Sequence, residues 1–169
     1  LRRYGTDKPD LRYGLEIEDV SDIAGETEFR VFAENVRQGN AVRGLRAPGL
    51  GTYSRRELTE LEDLAKAAGA KGLAWMVVES GGEAPVRSPI AKFFSAAQLD
   101  ALIARMGAQP GDLLLFVSDT APVVAGALDA LRRELAERLS LTDPRKMAFC
   151  WIIDFPLFEW NEDEGRWDP

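Results

Sequence analysis

The residues best suited to chemistry are five arginines, Arg37, Arg43, Arg46, Arg55 and Arg56, gathered within twenty positions. Guanidinium groups at this density suit phosphate contact, because each offers a planar fork of donors that matches phosphate oxygens. The plainer reading is an exposed hairpin face, with Arg55 and Arg56 solvated in the first turn of a helix. Other candidates are weaker. Asp7-Lys8-Pro9-Asp10 sets two acids beside a base, but Asp and Pro together usually make a turn. Gly49-Leu50-Gly51 precedes a helix, yet Ser54 stands where a dinucleotide fingerprint needs its third glycine. Lys92 lies among apolar residues and reads as a snorkelling side chain. Ser118-Asp119-Thr120 sits at a strand end before a helix, where capping explains it as well as a ligand does. Glu159, Glu162, Asp163 and Glu164 match no calcium loop.

What is missing narrows the chemistry further. The 169 residues include no histidine and one cysteine, Cys150. That removes Ser-His-Asp and Cys-His catalysis, histidine-ligated zinc, an intrachain disulfide and any CxxC site. Cys150 falls in an apolar run and is expected to be a buried, inert thiol. No nucleophile meets a base, so the expectation is no catalytic residue and no metal site. Lys and Arg number 21 and Asp and Glu 28, a formal charge of −7. Bulk charge thus opposes autonomous nucleic-acid binding and leaves only a local basic patch. No window approaches the ~20 apolar residues of a membrane helix. The lone cysteine points to the cytoplasm. The start at Leu1, without Met, suggests a fragment or a processed product.

The elements that must position these residues follow from periodicity. Residues 1–14 show none and read as a loop. Residues 28–48 allow two readings. Phe29, Phe32, Ala33 and Val36 fit a helical stripe, whereas Gly39-Asn40 between Val- and Phe-rich runs fits a hairpin, the favoured reading. Ser54-x-x-Glu57 and Ser95-x-x-Gln98 are capping boxes opening helices over about 54–68 and 95–107. Residues 72–79 and 112–117 are short apolar runs, expected as buried strands. Ile90–Phe94 suggests another short strand, after a loop containing Gly81-Gly82. The longest helix spans about 121–139. Thr120 is its N-cap, Val124, Leu128, Leu131 and Leu135 form its stripe, and Asp129, Arg132 and Arg133 its wet face. Met147–Ile153 reads as a strand, and residues 157–167 as a hairpin turning at Glu164-Gly165. The sum is an α+β domain with a mostly antiparallel sheet and helices on one face.

Several motifs together resemble a known family. Tyr4-Gly5-Thr6-Asp7-Lys8-Pro9-Asp10-Leu11-Arg12 is similar to the YGSDKPDLR segment of bacterial-type aspartyl-tRNA synthetases, with Thr6 in place of Ser. Gly72–Trp75, Ser88–Phe94, Gly111–Val117 and Ala130-Leu131-Arg132 resemble that family's insertion, the GAD domain. Asp154–Trp160 resembles the strand where the family's chain returns to its class II catalytic core.

The resemblance implies a two-layer, DCoH-like fold of order β-β-α-β-β-α, with the 95–107 helix inserted between the last two strands. It implies a flank from the catalytic core over 1–14, the GAD insertion over 15–146, and a strand and hairpin returning to the core over 147–169. It also implies a parent that ligates aspartate to tRNA with ATP and magnesium, as a homodimer. This stretch would serve as an accessory contact to tRNA-Asp or as support for the catalytic core. The other implied role is a standalone GAD module of a tRNA-dependent amidotransferase.

Overall fold

The computed structural model describes residues 1–80, 85–154, 157–161 and 163–168. The loop glycines Gly81 and Gly82, and Phe155 and Glu162, lie outside them. Five strands form one sheet: β1 (Ile17–Asp19), β2 (Ala41–Ala47), β3 (Ala74–Val78), β4 (Val86–Arg87) and β5 (Leu113–Asp119). Their order is β1-β2-β5-β3-β4, and every pairing is antiparallel. The helices are α1 (Ser21–Ala24), α2 (Arg30–Arg37), α3 (Arg55–Ala67), α4 (Ala96–Arg105) and α5 (Ala121–Arg138), with a 3-10 turn at Ala91–Phe93. A separate hairpin joins β6 (Glu159–Asn161) to β7 (Arg166–Asp168). Among the described residues no helix is long and apolar enough to cross a membrane.

The α+β class and the antiparallel sheet are as expected, but the helices cover both faces rather than one. Side chains alternate across a strand. Leu113, Leu115 and Val117 of β5 therefore meet α3 and α5, through Leu58, Leu61, Leu128 and Leu131. Leu114 and Phe116 point the other way, onto Phe32 of α2 and Leu99 and Leu102 of α4. The fold has three layers, not two. The physical reason lies in β5 itself: five consecutive apolar residues need cover on both faces. Removing α1, α2, β4 and α4 leaves β1-β2-α3-β3-β5-α5, the β-β-α-β-β-α order. The added elements build the third layer.

The hairpin expected over 28–48 is instead α2 followed by β2. Phe29 and Phe32 stack edge-on at 4.9 Å, and Phe32 meets the rings of Phe94 and Phe116. Only a helical stripe delivers these rings to one side. Gly39, with φ +81°, ends α2 rather than turning a hairpin. Both capping boxes are present, with Ser54 accepting from the Glu57 amide and Ser95 from the Gln98 amide. Such a cap stabilises by about 1 kcal/mol. Thr120 makes no side-chain cap to α5. The short strand expected at 90–94 is a 3-10 turn, and Val86–Arg87 supplies the edge strand. Residues 147–153 form no strand and are exposed.

Candidate interaction surfaces

The five arginines do not converge on one patch. Arg43 and Arg46 are three positions apart on β2, so the pleat sends them to opposite faces. Arg43 donates to the Asp19 carboxylate at 3.3 Å. Burial pushes the Asp19 carboxyl up, but hydrogen bonds from Ser21 and Arg43 outweigh it and hold the group below its ordinary value. Arg46 donates to the Gly107 carbonyl and lies 3.8 Å from the Asp112 carboxylate. Arg37 is exposed at the C-terminus of α2. Arg55 and Arg56 are exposed in the first turn of α3, where Arg56 pairs with Glu60 at 3.1 Å. Arg55 also borders a shallow groove of about 370 Å³ with Tyr53, Trp75 and Arg87.

The other sequence candidates have structural partners. The Gly49 amide donates to Asp112, and the Gly51 amide to the Gly111 carbonyl, which leaves no phosphate cradle there. Asp119 accepts from the Thr120 amide and lies 3.4 Å from the Lys71 ammonium. Lys92 is exposed over the Phe93 ring. Asp10 pairs with Arg12 at 2.6 Å, and the segment bends at Asp7 and Lys8. Cys150, expected to be buried, is exposed, because the run that contains it docks nowhere on the domain.

Two surfaces stand out, of which the sequence reading missed the first and expected the second as a segment returning to a larger body. The first is the seat of residues 1–16 on α5. Arg132, assigned to the wet face, is fully buried. Its Nε donates to the Leu15 carbonyl at 2.7 Å, and its two terminal nitrogens donate to Tyr4, Gly14 and Asp10 carbonyls at 3.2, 2.9 and 3.3 Å. The guanidinium also lies 4.9 Å from the Tyr4 ring centre and 5.1 Å from that of Tyr13. Gly14 and Leu15 both have positive φ, 64° and 52°, in the loop whose carbonyls face the guanidinium. A signal existed: Arg132 is four residues after Leu128 and three before Leu135, on the apolar stripe itself. Arg3 and Glu16 close the outer edge at 2.6 Å, and the Ile17 amide donates to the Arg3 carbonyl. A polar groove of about 760 Å³ lies alongside, lined by Thr6, Lys8, Asp10, Tyr13, Asp129 and Arg133 among others.

The second surface is the stretch after α5. Met147, Phe149, Trp151, Ile153 and Leu157 are each at least 77% exposed. The β6–β7 hairpin beyond them stacks Trp160 on Trp167 at 5.4 Å and leaves both rings more than half exposed. Apolar area on this scale marks an interaction surface.

A family model for the GAD domain matches residues 32–128. The chain is 55% identical over 167 residues to the Aspartate--tRNA(Asp/Asn) ligase of Moorella thermoacetica, covering 99% of this chain and 27% of that protein. It is 53% identical to the ligase of the same name from Rubrobacter xylanophilus, covering 100% of this chain and 28% of the relative. For the one from Natranaerobius thermophilus, identity is 51%, with 99% and 28% covered. The chain therefore spans between a quarter and a third of the length of the relatives it matches. The GAD match runs from α2 into α5 and takes in β2 to β5, so the sheet and most of both helical layers carry it, and the chain belongs to the GAD domain family.

Proposed function

We propose that this chain is the GAD insertion of an aspartate–tRNA ligase together with the segments joining it to the catalytic body, and that its own role is to support that body. The observation that carries the reading is the contrast at its two ends. Residues 1–16 are locked onto the GAD core by Arg132, while Met147, Phe149, Trp151, Ile153 and Leu157 present bare apolar side chains that need a second surface. High identity to ligases through both ends, not only through 32–128, favours this over a standalone GAD module of an amidotransferase. In this reading aspartate, ATP and magnesium belong to the catalytic body, the ligase is a cytoplasmic homodimer, and this chain contributes no catalytic residue. Deleting residues 15–146 from the full-length ligase should lower tRNA charging by at least ~10-fold, a loss of transition-state stabilisation readable in kcat/KM. Undiminished charging by the deleted enzyme would refute the role.

A second reading is direct contact with tRNA-Asp, favoured by exposed Arg37, Arg55 and Arg56, and by Arg55 and Arg87 beside the half-buried Tyr53 and Trp75. Arginines flanking aromatic rings suit phosphate contact next to a stacked base. Titrating the chain with tRNA-Asp across a salt series tests it. Saturable binding that weakens with salt and with Arg55→Glu supports contact, and no binding at low salt excludes it for the isolated chain.

A further inference from the structure

Residues 1–16 contain neither helix nor strand, yet a fully buried side chain of α5 holds them. A buried guanidinium is costly unless its donors are satisfied. Arg132 meets that demand almost wholly from the flank: four carbonyls, of Tyr4, Asp10, Gly14 and Leu15, and the faces of Tyr4 and Tyr13. Its own helix supplies only Asp129, at 3.6 Å. Lifting the flank would strip the cation of these partners at once, so docking is all-or-none. A lysine cannot substitute, since one ammonium cannot reach carbonyls spread around a planar fork.

Gly5 is an independent sign of the same contact. Its φ is +77°, and a Cβ there would sit 2.3 Å from the Ala125 carbonyl oxygen and 3.0 Å from the Asp129 Cβ. Flank backbone thus lies directly on α5, at a distance only glycine permits. Among the described residues, the segment leaving α5 shows no comparable anchor. Its tie back to the flank is the Lys146 ammonium on the Arg12 carbonyl at 3.2 Å, an exposed contact.

We propose that Arg132 is a positioning residue: it makes residues 1–16 and the GAD core one rigid body, so that the entering segment, and not the returning one, sets the pose of the insertion during tRNA charging. This rests on the insertion reading of the chain.

The test has two arms, run on Arg132→Met, Arg132→Lys and Gly5→Ala. In the 169-residue chain, amide exchange at Gly5 and Ile17 should quicken by ~10-fold or more, while Leu113–Val117 of β5 keep their protection. In the full-length ligase carrying the same changes, aspartate-dependent ATP–pyrophosphate exchange should stay at the wild-type rate while KM for tRNA rises several-fold. The lysine variant should not rescue. Unchanged exchange at the flank amides overturns the clamp. A released flank with wild-type KM for tRNA overturns its positioning role. If Arg132→Met does not fold, Gly5→Ala decides, because it touches only the seat of the flank. A wild-type ligase with no aspartate-charging activity would refute the function reading instead, and the exchange arm would still judge the clamp.

Discussion

Residues 1–16 and residues 143–168 both lie outside the sheet, and the molecule treats them in opposite ways. The first stretch is polar, with two glycines, a proline and six charged side chains before Leu15, yet it is docked. The second holds most of the aromatic residues of the C-terminal third, yet Phe149, Trp151, Phe158, Trp160 and Trp167 stand in solvent. Hydrophobic content drives burial only where a complementary surface exists, and both sheet faces are already covered by helices. The flank needs no apolar surface of its own. It offers carbonyls, which are strong acceptors in any sequence, to one cation buried in α5.

The largest effect that could break this contrast is expected at Arg132. Arg132→Ala removes the fork, leaves a void in α5 and frees the flank, so it should destabilise the chain by roughly 3–5 kcal/mol, the scale for breaking a buried ionic network. Urea unfolding measures it. A loss below ~1 kcal/mol would mean that the flank is held by other contacts. Next comes Gly5→Ala. The clash with the Ala125 carbonyl and the left-handed backbone act together, and ~1–3 kcal/mol is expected from overpacking of this kind. The loss should be confined to the flank, so exchange protection in β5 and α3 should stay native.

Acid should give a smaller effect of the same sign. The Arg3 hydrogen bond holds the Glu16 carboxyl below its ordinary value near 4.5, and the Arg12 hydrogen bond holds that of Asp10 below its ordinary 3.8. Both carboxylates are therefore stabilising above those ordinary values, and that share is lost as pH falls through the lower docked values. Exposure to solvent keeps each contribution small. Tyr4 and Tyr13 report the flank directly, so their NMR signals should shift between pH 5 and pH 2.5 while the Trp160 and Trp167 signals hold. Simultaneous movement of both sets would point to global acid unfolding instead.

The same contrast explains which parts of the fold were legible in the sequence. Helices α3, α4 and α5 and strands β3 and β5 follow from capping boxes, 3.6-residue stripes and short apolar runs, all local signals. Residues 28–48 did not, because a Phe- and Val-rich stretch ending in Gly-Asn carries both a helical and a hairpin pattern. The tertiary ring cluster of Phe32, Phe94 and Phe116 decides between them. Residues 147–153 misled for a related reason: continuous apolarity implies burial somewhere, and nothing in the run says against what. The arginine set Arg37 to Arg56 was legible as charge but not as a surface, since strand alternation parts Arg43 from Arg46. Arg132 was hidden by its type, because a charged residue on a helix is assigned to solvent unless its place in the stripe is weighed first.

The smallest expected change in stability comes from the exposed stretch, and it is the sharpest check on the comparison. Phe149 and Trp151 are 88% and 93% exposed, so replacing both by serine removes almost no buried area. Unfolding free energy should stay within ~0.5 kcal/mol of the parent chain, the range for surface changes. Self-association should respond instead. An exposed run with Met147, Phe149, Trp151 and Ile153 is a ready contact for a second copy when no other surface covers it. Sedimentation velocity over a concentration series should show the parent chain associating and the double serine variant remaining monomeric at the same concentrations. A stability loss above ~1.5 kcal/mol would place the two rings against the domain, in the cost range for emptied aromatic contacts, and the opposition between a docked polar end and a bare apolar one would fail.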